Sequence, residues 1–128
     1  MNRRTFALSC LATAVAPVEA SASISRGPNG GQRIDLANGH AELVAEGNEL
    51  RLYLSDNNYR PRSATGATAQ ATVLSGGRQT SVTLTPAAED MLRGQGDFRA
   101  ARGMRVVVTL TMPGQRPSQG RFTPLDQS

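Results

Sequence analysis

From Gln32 onward, apolar and polar residues alternate along the chain, which is the period of a strand with one buried face. Asn38-Gly39 is a two-residue hairpin signal. Taken as the turn, it sets Ala37 against His40, Leu36 against Ala41 and Ile34 against Leu43. Gly47-Asn48 acts in the same way for the next pair, setting Ala45 against Leu50, Leu43 against Leu52 and Ala41 against Leu54. The two turns are placed independently and give one shared apolar face. A one-residue slip of register would send that face to solvent. The pattern therefore predicts a three-strand meander over residues 32–54.

Asp56 to Gly66 is polar and holds Pro61, and it reads as a loop. A third hairpin around Gly76-Gly77 sets Val73 against Thr80, Ala71 against Val82 and Ala69 against Leu84. Pro86 is expected to end that strand, with Ala87–Leu92 as a single helical turn. Gly94, Gly96 and Gly103 punctuate a short strand or loop around Phe98. Met104, Val106, Val108, Leu110 and Met112 then share one face of a strand closed by Pro113-Gly114. Gln119 to Leu125 returns as an edge strand between Pro117 and Pro124, as suits proline. The expected class is all-β: an immunoglobulin-like β-sandwich of about seven antiparallel strands over residues 32–128, with a small barrel as the alternative.

The first 31 residues do not share this pattern. Met1 to Arg4 is basic, Phe6 to Val18 is apolar, and Ala20-Ser21-Ala22 is a small-residue exit. Those are the three parts of a secretory signal peptide, here residues 1–22, with cleavage after Ala22 or Ala20. The apolar run falls short of the about 20 residues that span a bilayer, so the chain is not expected to be an integral membrane protein. Asn2-Arg3-Arg4-Thr5-Phe6 resembles a twin-arginine signal; plain Sec export is the alternative. Both routes lead to the periplasm. Residues 23–31, with Gly27-Pro28-Asn29-Gly30-Gly31, read as a flexible lead-in.

Cys10 is the one cysteine of the 128 residues and leaves with the signal, so neither a disulfide nor a thiol nucleophile is expected. All 14 basic residues are arginine. Loss of Arg3, Arg4 and Glu19 with the signal leaves 12 arginines against 9 carboxylates. The arginines interleave with acids and show no aromatic–basic platform, which argues against nucleic acid.

Catalytic motifs are also missing from the sequence. His40 is the one histidine and has no cysteine partner, so no nucleophilic triad can be assembled. Gly27 to Gly31 lacks the lysine and helix of a phosphate loop. No enzymatic activity is expected. One constellation remains: in the register above, Asp35 lies opposite Glu42, with His40 two residues away on the same side. Opposed Cβ atoms stand about 5 Å apart, so these three could hold one divalent copper or zinc ion. The plainer reading has Arg33, beside Asp35, and Arg51, diagonal to Glu42, balancing the carboxylates with no metal. Met104 and Met112 lie eight residues apart, about 26 Å along a strand, and read as core.

Gly27-Pro28-Asn29-Gly30-Gly31-Gln32, Glu42-Leu43-Val44, Leu50 to Leu54, Ala71 to Gly77 and Gly103 to Leu110 together resemble small exported β-sandwich proteins of Gram-negative bacteria. Similar domains accompany heavy-metal efflux and copper handling. The resemblance implies a periplasmic, non-enzymatic accessory or binding domain in metal homeostasis. In many such proteins the lead-in reads Pro-His-Gly-Gly, whereas this chain has Asn29. The alternative is an interaction module for an envelope protein, with no metal role.

Overall fold

The computed structural model describes residues 25–126. The signal peptide expected over residues 1–22, with its arginine pair and Cys10, lies outside them. The described chain is all-β. Its nine strands are β1 (Ser25–Arg26), β2 (Gln32–Leu36), β3 (Gly39–Glu46), β4 (Glu49–Ser55), β5 (Thr68–Ser75), β6 (Arg78–Ala88), β7 (Met91–Gln95), β8 (Arg105–Thr111) and β9 (Ser118–Phe122). They run antiparallel in one curled sheet of order β1-β2-β3-β4-β7-β6-β5-β8-β9. No helix among the described residues is long and apolar enough to cross a membrane.

The strand β6 joins the two leaves of this sheet. Its first part pairs with β5 and its last part with β7, with a shift of register between Pro86 and Ala88. A bulge is where a strand tolerates a proline and bends. The curl turns the apolar faces of both leaves inward. Leu43, Leu50 and Leu52 of one leaf and Val73, Leu84 and Val108 of the other are fully buried. The core is mainly aliphatic; of the aromatic residues among those described, only Phe122 is buried within it.

The second and third hairpins have the expected register: Leu43 opposes Leu52 and Ala71 opposes Val82. The first differs. Its turn is Ala37-Asn38, both at positive φ (54° and 63°), and Gly39 lies in the strand opposite Leu36. A two-residue turn of this kind needs positive φ at both central positions. The strand position that Gly39 takes admits only glycine: a Cβ there would run into the backbone oxygen of Ser55. Moving the turn by one residue moves each cross-strand pairing by two. Ile34 and Leu36 therefore stay on the same core-facing side of the sheet as Ala41 and Leu43, with Ile34 now opposite Ala41, while Asp35 opposes His40 and Arg33 opposes Glu42.

Two further expectations are corrected. No helical turn follows Pro86; the strand continues to Ala88, Glu89-Asp90 turns, and β7 enters between β4 and β6. Leu92 decides the matter, because opposite Leu52 it is fully buried. The sequence around it hides a strand, since Arg93-Gly94-Gln95 breaks the alternation. Gly94 is required there because a Cβ would meet the backbone oxygen of Thr83. The lead-in, expected to be flexible, is a closed turn: Gly27 N donates to Gly31 O (2.9 Å) and Gly30 N to Gly27 O (3.1 Å).

Candidate functional site

The outer face of β2 and β3 brings together part of the predicted constellation. His40 Nδ1 stands 2.9 Å from Asp35 Oδ1, as their direct opposition requires. Glu42 is taken elsewhere. It is 2% exposed, and its carboxylate accepts from Asn29 N (2.9 Å), Asn29 Nδ2 (2.9 Å) and Gly31 N (2.7 Å). Both oxygens serve the lead-in turn. Arg51, expected near Glu42, instead binds Glu46 (2.6 Å) and Glu49 (3.2 Å). Among the described residues, no three His, Cys, Asp or Glu side chains gather as a metal-binding group.

Sequence reasoning missed the residue that dominates this face. Tyr59, in the loop between β4 and β5, is 57% exposed. Its ring stacks on His40, centroids 4.2 Å apart and planes 7° from parallel. The Arg33 guanidinium lies 4.6 Å from the Tyr59 centroid, within cation–π range. A lone tyrosine in an otherwise polar loop was the available signal, in a chain with few aromatics. Its stacking partner comes from a distant strand, which periodicity does not reveal.

The loop that presents Tyr59 is organised by Asp56. Its carboxylate accepts from Asn58 N (2.8 Å) and Arg60 N (3.0 Å). Its backbone closes the loop, with Tyr59 N donating to Asp56 O (2.9 Å) and Asp56 N to Arg60 O (2.8 Å). Tyr59 has φ 64°, an uncommon conformation for an aromatic residue, and these bonds hold it there. Arg62 Nη1 donates to Ala37 O (2.6 Å) and ties the loop to the first hairpin. Beside the stack is a small cavity of about 90 Å³, bordered by Asn29, Arg33, Glu42, Tyr53, Tyr59 and Asp90.

The amides of Arg60 and Asn58 hold the Asp56 carboxyl below the 3.8 usual for aspartate. A lowered carboxyl pKa means that the carboxylate's contribution is complete above 3.8 and is lost as pH falls through the lowered value. The amide resonances of Asn58 and Arg60 are accordingly expected to shift together below pH 3.8. A midpoint at or above 3.8 would contradict the role given to Asp56.

Compared with known proteins, the chain matches no family model, no curated protein and no solved structure.

Proposed function

We propose that this chain is a small, exported, non-enzymatic binding domain of the bacterial periplasm, which engages an envelope protein through Tyr59, His40 and Arg33. The observation that carries the reading is the exposed, pre-stacked Tyr59 ring on a closed loop. Tyrosine and arginine are the side chains that most often anchor protein interfaces, and an anchor already fixed loses little entropy on binding. The signal-like residues 1–22 support export. On this reading the curled sheet, with two leaves over one core, serves as an immunoglobulin-like sandwich.

A photo-crosslinking residue at position 59, in the cell that makes the protein, tests this reading. It should capture a discrete envelope partner that the same probe at Gln70, an exposed residue of β5 in the other leaf, does not. With that partner purified, Tyr59→Ala should weaken binding at least about tenfold, as for an interface anchor, with the fold intact. Equal capture from both positions would defeat the proposal.

A second reading, metal homeostasis, is favoured by the His40–Asp35 contact of 2.9 Å. A histidine whose one ring nitrogen meets a carboxylate is oriented to offer the other nitrogen to a metal. Calorimetric titration with Cu²⁺ and then Zn²⁺ tests it. One-to-one binding lost in His40→Ala would establish the ion, and heats unchanged by that substitution would remove it.

A further inference from the structure

The end of the sheet away from Tyr59 carries a second feature, built around the loop of residues 96–101. That loop is tied to two hairpin turns by its backbone. Gly96 N donates to Asn48 O (3.0 Å) and Ala100 N to Gly47 O (2.7 Å), both in the β3–β4 turn. From the β5–β6 hairpin, Ser75 Oγ donates to Arg99 O (2.8 Å) and Thr80 Oγ1 to Asp97 O (3.0 Å). Phe98 packs against the core. The bonds hold the backbone and leave the charged side chains to face solvent.

Between this loop and the β5–β6 turn lies a hollow of about 490 Å³, lined among others by Ser75, Arg78, Asp97, Phe98, Arg99 and Ala101. A second, of about 410 Å³, lies on the other side of the loop and shares Asp97, Phe98 and Arg99. The larger hollow has two guanidinium groups and one carboxylate in its lining. Asp97 binds Arg78 at 2.9 Å, and both side chains are mostly exposed. The balance is cationic, and the two guanidinium groups stand on a braced frame beside Phe98 and Ala101.

We infer that this hollow binds an acidic segment of a protein partner. Guanidinium forks match carboxylates in geometry, and the half-buried Phe98 ring and the exposed Ala101 methyl beside them suit the aliphatic parts of a peptide. The hollow is also larger than a single oxyanion needs. Asp97 acts here as an internal competitor, occupying Arg78 until a partner carboxylate displaces it. This site stands apart from the Tyr59 face and does not depend on what that face binds.

The test is fluorescence anisotropy with a labelled peptide alternating glutamate and phenylalanine, at low and at physiological salt. Arg99→Ala and Arg78→Ala should each weaken binding about threefold to fivefold, the range of one exposed charge pair. Asp97→Asn should tighten it by a similar factor. Glu89→Gln makes the same change of net charge at the far end of β6, roughly 33 Å away along an extended strand, and should change nothing. All four positions are exposed, so thermal melts should show intact folds. Equal affinities for Arg99→Ala and the parent, or equal tightening by Glu89→Gln and Asp97→Asn, would overturn the assignment. So would arginine-dependent binding of inorganic phosphate or phosphatidylglycerol vesicles without binding of the peptide.

Discussion

Glu42→Gln is expected to destabilise the domain by about 3 kcal/mol, although it changes one atom of a side chain on the outer face of the sheet. The carboxylate is almost wholly buried and accepts three hydrogen bonds, two from backbone amides of the lead-in turn and one from Asn29 Nδ2. An amide can keep its oxygen toward the two backbone N–H groups that share Oε2, but it then turns a donor toward Asn29 Nδ2 and gives up the charge that strengthens all three bonds. Bonds to a charged group contribute roughly 1.5–3 kcal/mol each, and a buried donor left without a partner costs about 1–3 kcal/mol. The three act as one unit, so their costs do not simply add. For a domain of this size the fall in Tm should be about 15 °C, measurable by calorimetry. Asn29→Ala, which removes only the side-chain bond, should cost about 1 kcal/mol. A Tm within a few degrees of the parent for Glu42→Gln would show that the turn is held by something else.

The same contact explains why the lead-in could not be read from sequence. Gly27-Pro28-Asn29-Gly30-Gly31 has the composition of a linker, and nothing local tells it to order. Its anchor lies 11 to 13 residues further on, on a strand where a glutamate looks like an ordinary solvated residue. The glycines are there for closeness. A Cβ at Gly27 would overlap the Glu42 carboxylate, and one at Gly31 would overlap the backbone oxygen of Leu43. A glycine run thus served a buried contact that composition alone presents as flexibility.

What was legible followed alternation and turn chemistry. The hairpins at Gly47-Asn48 and Gly76-Gly77 have the expected register because each combines a two-residue turn with clean alternation on both sides. The Asn38-Gly39 turn was misplaced by one residue because this glycine serves the strand: the close approach of Ser55, on a third strand, leaves no room for a Cβ at position 39. That small shift spared the core and left Asp35, His40 and Glu42 neighbours on the outer face; what parts Glu42 from the other two is the commitment of its carboxylate to the lead-in turn. Pairing moved by two residues, so every side chain kept its face, but Asp35 changed partner from Glu42 to His40. Core membership depends only on which face a residue occupies, whereas a site depends on which residue it meets. The fold was therefore legible where the partners of the candidate site were not.

Phe122→Ala should cost about 4 kcal/mol, a large share of the 5–15 kcal/mol that holds a typical domain together. Among the described residues Phe122 is the largest fully buried side chain, and it ends β9. Its position matters as much as its size. In the sheet order, β9 and the β1–β2 pair lie at opposite edges, and no backbone ladder joins β9 to β2 among the described residues. Side chains do that work. A Cβ at Gly120 would press on Ile34 and Leu36, so the two edges pack closely at that point. Gln32, 1% exposed, accepts a hydrogen bond from Thr123 N through Oε1 (2.6 Å). Removing the Phe122 ring takes the apolar weight from the join and leaves Gln32 with a weakened neighbour. Leu52→Ala, in the middle of a fully hydrogen-bonded ladder, should cost a similar amount by calorimetry. The two variants should differ in native-state hydrogen exchange. Phe122→Ala should raise exchange first in β8, β9 and β2, whereas Leu52→Ala should raise it throughout the core strands. Uniform exchange in both variants would mean that the edges are held by more than these side chains.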